Sequence, residues 1–147
     1  MSYTYDYPHP AVTVDIAVFT TVDDDWKVLL IRRAKEPFKD MWALPGGFID
    51  IDEGLEQAAR RELKEEAGVD VVDLDQVGAF GDPDRDPRER VITVAYYAMI
   101  PFDQLHVEAS SDASDAKLFS VNDLPELACD HALILQQAIN LAGEKSG

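Results

Sequence analysis

The sequence predicts an α+β fold, a mixed set of strands with one helix near the middle and another near the end. Three observations lead there. Residues 11–19 alternate, with Val12, Val14, Ile16 and Val18 on one side, the period of a strand. Residues 55–67 hold no proline, glycine or β-branched residue and stop at Gly68, the signature of a helix with a glycine at its C-terminal end. Strand-like stretches then follow, separated by turn-rich sequence, before a last apolar segment with helical character at 130–141.

Taken in order, residues 23–25 form a turn after the first strand, and residues 26–33 (WKVLLIRR) form its partner. Residues 35–44 contain Pro37 and read as a loop, which Pro45, Gly46 and Gly47 punctuate before a short extended piece at Phe48 and Ile49. Asp52 is the expected N-cap of the central helix, with Gly54 weakening its first turn. Strands are expected at 71–80, 91–100 and 116–120, with the turn-rich 81–90 between the first two. A helical turn at 121–127 and a helix at 130–141, capped by Asp130, complete the chain. Without repeat or linker, residues 1–147 read as one domain.

Composition limits the function. A chain of 147 residues that is 46% hydrophobic can bury a core. Its net charge of -16 disfavours a nucleic-acid polymer, which would be repelled at long range. Small phosphorylated ligands remain compatible where local cations or metal ions offset the carboxylates. Cys129 is the one cysteine, which excludes an internal disulfide and a cysteine-based zinc site. No apolar run reaches membrane-spanning length, and the first ten residues carry no Lys or Arg. A cytoplasmic protein with no membrane partner is the expectation.

The chemistry concentrates on the central helix. At about 100° per residue, Leu55, Ala59, Leu63 and Ala67 form an apolar stripe. Glu62 and Glu66 fall on its edge with Glu65 beside them, while Gln57, Arg60 and Lys64 take the far side. Carboxylates crowded on adjacent turns repel one another unless something neutralises them. Mg²⁺ prefers such oxygens and is usually held together with substrate phosphates. Arg61 can offset part of the charge. A plain solvated acidic face is the competing reading. Gly46 and Gly47, which permit close backbone approach just upstream, shift the balance toward a site.

Gly47, five residues, Glu53, seven residues, then Arg61-Glu62-Leu63-Lys64-Glu65-Glu66-Ala67-Gly68-Val69 resembles the Nudix box at every defining position. Each fixed type occurs at roughly 5–10% in average proteins, so a chance match at one starting point is about one in 10⁸. The entry Trp42-Ala43-Leu44-Pro45-Gly46-Gly47-Phe48 is similar to the family's as well. The stretch from Gly81 to Arg88, Leu124-Pro125 and Asp130-His131-Ala132 resemble the ADP-ribose pyrophosphatase-like branch.

The resemblance implies a Nudix α/β/α sandwich, with a mixed sheet, the box helix on one side and the late helix on the other. It implies Mg²⁺, or Mn²⁺, on Glu62, Glu65 and Glu66, with Glu53 binding metal or a metal-bound water. Arg61 would orient the carboxylates, and Gly46 and Gly47 would shape the loop under a diphosphate. The implied reaction is Mg²⁺-dependent hydrolysis of the diphosphate of a small nucleotide, with ADP-ribose going to AMP and ribose 5-phosphate. Two alternatives stand beside it, a nucleoside triphosphate pyrophosphohydrolase and a ligand-sensing regulator. An intact box and a chain that stops at Gly147 place the regulator last. Homodimers are common among such relatives.

Candidates for the general base are Glu65 and Glu53 in the box, and Glu108, Asp112 and Asp115 in the 103–115 loop. Arg33 is preferred over Arg32 as a phosphate contact, because successive strand residues face opposite ways. Phe38 and Trp42 are candidates for stacking on a base, with a core role equally open for Trp42. Arg85 and Arg88 would hold a terminal phosphoribose or a neighbouring subunit, or else simply pair with nearby aspartates. His131 is expected at a helix start, hydrogen-bonded to backbone, and not in catalysis.

Overall fold

The computed structural model describes residues 2–71, 73–109 and 113–146. β1 (Ala11–Val22) realises the predicted alternation and runs three residues further than expected. Val14, Ile16 and Val18 face one layer, while Ala17 and Phe19 face the other. The chain reverses through Asp23 and Asp24, at φ 52° and 66°, so that Val22 pairs with Asp25 at the start of β2 (Asp25–Arg33). A two-residue turn with both φ values positive matches the twist of a hairpin, and Asp tolerates that conformation.

The two strands pair from Phe19–Val28 to Val22–Asp25 and then part. Into the gap goes the segment before the box. Its β3 (Trp42–Ala43) lies on β2, with Ala43 opposite Ile31. Its β4 (Gly46–Phe48) lies on β1, with Gly46 opposite Asp15. The segment expected as a loop thus contributes strand to the sheet. On its other edge β1 pairs in parallel with β6 (Val91–Met99), which carries β5 (Asp75–Phe80) antiparallel. The far edge of β2 carries β7 (Ala113–Ser120).

α1 (Leu55–Ala67) has the predicted bounds. It presses Ala58, Ala59, Leu63 and Ala67 onto the Val14, Ile16 and Ile31 side of the sheet. α2 (His131–Ser146) packs Ile134, Leu135, Ala138 and Ala142 onto the opposite side, against Ala17, Phe19 and Leu30. This is the expected three-layer arrangement.

Three local expectations are corrected. Gly54, not Asp52, is the N-cap of α1. A turn joining Asp50 and Glu53 uses up Asp52, so the helix starts two residues later, and Gln57 Oε1 accepts the Gly54 N–H at 3.4 Å. β5 starts at Asp75 rather than residue 71, with Asp75 opposite Tyr97 of β6. No helical turn forms at 121–127. Leu127 bridges to Trp42 and the Ala128 N–H bonds the Trp42 carbonyl, which draws that segment out along β3.

Among the described residues, no helix is long and apolar enough to cross a membrane.

Candidate active site

Where β1 and β2 part, a cleft of about 410 Å³ opens. Thr13 and Asp15 of β1, Ile31 and Arg33 of β2, and Leu44, Gly46 and Gly47 line its floor. The carboxylates of α1 form one wall. The others come from the loops around Lys35–Phe38 and Arg85–Arg88 and from Cys129 and His131 at the start of α2. Of the 13 Lys and Arg residues in this acidic chain, Arg33, Lys35, Arg61, Arg85 and Arg88 all line this one cleft. The site therefore holds the cations that the net charge alone would not suggest.

Arg61 is the hub of the box. Its Nε and Nη2 donate to the two oxygens of Glu53 at 2.7 and 2.9 Å, and Nη2 also reaches the Phe48 carbonyl at 3.1 Å. Its Nη1 donates to Glu62 Oε1 at 2.9 Å and to Glu65 Oε2 at 3.2 Å. Helical spacing explains the set: Glu65 is one turn on from Arg61, and the Asp50–Glu53 turn folds Glu53 back beside it. Arg61 and the Asp50 N–H together hold the Glu53 carboxyl down at about 2. The same carboxylates push the Arg61 guanidinium up.

Glu66 stands apart. It is buried, and its Oε1 accepts the Gly46 N–H at 2.7 Å. Burial pushes its carboxyl up to about 8, and repulsion from Glu62 and Asp15 adds to the rise, while the Gly46 N–H opposes it. Burial also raises Glu62, against the pull of Arg61. A Cβ on Gly47 would lie 2.7–2.8 Å from the Glu62 carboxylate, so only glycine lets that carboxylate lie against the loop. A Cβ on Gly46 would meet the Val14 carbonyl at 2.1 Å and Asp15 Oδ1 at 2.6 Å.

Do these residues suit a divalent cation? Among the described residues, no three His, Cys, Asp or Glu side chains are already arranged around a common cation position. The donor set nevertheless fits a hard cation. It is all oxygen, burial raises two of its members with neighbouring carboxylates adding to the rise, and a missing Cβ gives it room. Arg61 supplies the compensating charge.

The remaining expected residues divide. Arg33 lines the cleft, with Nε donating to the Pro37 carbonyl at 2.7 Å, whereas Arg32 turns to the Asp40 carbonyl at 3.2 Å, as strand alternation requires. Phe38 lines the cleft; Trp42 packs edge-to-face on Phe119, in the core role. Arg88 pairs with the nearby Asp86 at 2.7 Å and lies over the Phe48 ring. Arg85 makes a two-pronged pair with distant Asp130 at 2.8 and 2.9 Å, and only 3% of its side chain is exposed. Asp130 therefore gives its carboxylate to Arg85.

Glu108 packs beyond the C-terminal end of α1, its N–H on the Ala67 carbonyl, and Asp115 accepts the Ala116 N–H on β7. Neither lines the cleft. Asp112 lies outside the described residues. Asp15, Asp50 and Asp86 line the cleft without having been singled out from the sequence. The readable signal for Asp15 was an acid inside an otherwise apolar strand. His131 is hydrogen-bonded to backbone as expected, its Nδ1 accepting the Leu44 N–H at 3.0 Å.

Residues 9–138 match the NUDIX domain. The chain belongs to the Nudix family. This Nudix chain is 42% identical over 130 residues to an ADP-ribose pyrophosphatase of Methanocaldococcus jannaschii, covering 88% of itself and 73% of that protein. It is 40% identical over 145 residues to the ADPR responsive transcriptional repressor NtrR of Acinetobacter baylyi, covering 96% of itself but 58% of the repressor. In structure it resembles the NUDIX domain of Shewanella oneidensis NrtR complexed with ADP ribose, with a TM-score of 0.86, 35% identity and 94% of each chain covered. The Nudix sandwich expected from the sequence is thereby borne out, and so is the class of Nudix-type pyrophosphohydrolase.

Proposed function

We propose that this chain hydrolyses the diphosphate link of a nucleoside diphosphate joined to a second group, with ADP-ribose, cut to AMP and ribose 5-phosphate, as its substrate. The observation that supports this best is the cluster of Glu53, Glu62 and Glu65 around Arg61, with Glu66 beside it, at the wall of a cleft that also gathers Arg33, Lys35, Arg85 and Arg88. Glu62, Glu65 and Glu66, with Glu53, would hold Mg²⁺ or Mn²⁺. A divalent cation there supplies neutralisation of phosphate charge and acidification of water.

The protein's own groups do the rest. Arg61 keeps the mutually repelling Glu53, Glu62 and Glu65 on one side of the cleft, while the Gly46 N–H holds Glu66. Gly46 and Gly47 leave room for the diphosphate over the loop, and Arg33 faces it from β2. Arg88, stacked on Phe48, borders the end where a terminal phosphoribose would lie, and Arg85 braces that end through Asp130. Glu65 is the better box candidate for proton removal from water, since about half of its side chain is exposed. Glu53 is a poor one, because its oxygens are engaged and its carboxyl is held near 2. That makes Glu53 a positioning group for Arg61. A small nucleotide partner rather than a nucleic-acid polymer accords with the net charge of -16. A single domain acting as a cytoplasmic homodimer completes the reading.

Turnover of a nucleotide panel headed by ADP-ribose, with and without Mg²⁺ and with Glu65→Gln as control, tests it. Conversion of ADP-ribose to AMP, lost in the variant, supports both chemistry and substrate. Pyrophosphate release from a nucleoside triphosphate would replace the substrate and keep the chemistry. A second reading, ADP-ribose sensing without turnover, is favoured by the likeness to an ADPR responsive repressor and to a NUDIX domain complexed with ADP ribose. Tight ADP-ribose binding with no product from any nucleotide would select it.

A further inference from the structure

Asp15 sits in the middle of the most buried strand, 6% exposed, between Val14 and Ile16. A carboxylate costs free energy there unless its oxygens are well partnered. Its Oδ2 accepts the Thr93 hydroxyl at 2.6 Å, and its Oδ1 faces His131 Nε2 at 3.5 Å. Because His131 Nδ1 accepts the Leu44 N–H, the ring proton belongs on Nε2, pointing at Asp15. On its other side Asp15 lies so close to Gly46 that a Cβ there would overlap Oδ1. Gly46 in turn gives its N–H to Glu66. A continuous line therefore runs from Thr93 on β6, through Asp15 and His131, to the Leu44–Gly46 backbone and on to the box helix.

We infer that Asp15 and His131 are positioning residues for the box: together they fix the Leu44–Gly46 backbone so that the Gly46 N–H meets Glu66. α2, on the far side of the sheet from α1, thereby reaches the metal-binding wall through one imidazole. The inference rests on the proposed function only in taking Glu66 as a metal ligand. Groups that orient a ligand in this way typically contribute about 10- to 100-fold to metal affinity.

The test follows the Gly46 amide by hydrogen exchange in the full chain and measures Mn²⁺ binding by titration. His131→Ala should speed Gly46 exchange by about tenfold or more and weaken Mn²⁺ by about 10- to 100-fold. His131→Asn should restore Gly46 protection, since its side-chain oxygen takes the place of Nδ1 under the Leu44 N–H. Thr93→Val, nearly isosteric, loosens the Asp15 end and should speed Gly46 exchange while the β6 amides of Val94 and Ala95 stay protected. If His131→Ala does not fold, Thr93→Val decides by the same two readouts. Folded variants with Gly46 exchange and Mn²⁺ affinity like the parent would overturn the inference, and so would a folded His131→Asn that restores nothing. Gly46 exchange is readable whether or not ADP-ribose is hydrolysed, so the two readings fail separately.

Discussion

The Arg85–Asp130 pair offers an asymmetric double-mutant cycle. Arg85 is 3% exposed and Asp130 21%, and Asp130 also stands at the N-terminal end of α2, with its carbonyl accepting the Leu133 and Ile134 N–H groups. Either substitution breaks the two-pronged pair, but the stranded charges differ. Asp130→Asn leaves a guanidinium buried without its counter-charge, which costs about 3–5 kcal/mol. Arg85→Met leaves a carboxylate that is partly solvated and favoured by the helix N-terminus, a compensation of about 0.3–2 kcal/mol. Its net cost should be about 1–2 kcal/mol. The double variant should resemble Arg85→Met, giving a coupling of about 3–5 kcal/mol. Urea unfolding followed by tryptophan fluorescence reads all three. In thermal melts Asp130→Asn should fall by about 10 °C, at about 2–4 °C per kcal/mol for a chain of this size. Equal losses for the two single variants, or simple additivity in the double, would refute the reasoning.

Three further outcomes are expected. In chelator, Glu66 holds a proton in the folded state that the unfolded chain, near 4.5, has released. Its contribution to stability is complete below about 4.5 and is lost as pH rises through about 8, up to about 5 kcal/mol. Glu66→Gln should flatten the fall in unfolding free energy between pH 5 and 8, and an unchanged slope would contradict the assignment. Gly47→Ala places a Cβ against the Glu62 carboxylate, so Mn²⁺ affinity should drop by about tenfold or more while the urea midpoint moves little. Arg61→Ala should let the Glu53 carboxyl titrate upward from about 2 toward 4.5, visible by carbon NMR, and reduce turnover by about 100-fold.

Much of the fold was legible because it follows from local periodicity. The bounds of α1 came from an uninterrupted run of helix formers ending at Gly68, and those choices are made within one turn. Residues 42–44 read as part of a loop, and only Phe48 and Ile49 as extended, because the two strands are two and three residues long, too short for any period to show. The start of β5 is marked by its pairing with β6, a contact between residues far apart in sequence. The same division holds in the site. Glu62, Glu65 and Glu66 share a helix face and could be grouped by spacing. Asp15, 78 residues from Thr93, and Arg85, 45 from Asp130, meet partners that only the folded chain brings near.

The parting of β1 and β2 has a consequence for how the site can change. Gly46 and Gly47 are held by strand pairing to β1, within the central sheet. The residues that border the rest of the cleft, Glu36–Phe38 and Arg85–Arg88, hang on connections outside the sheet. Insertions or substitutions in those connections can reshape what is admitted without moving the backbone of the cleft floor. The cleft can thus change what it admits by loop replacement alone, with the Gly46–Gly47 floor carried over intact.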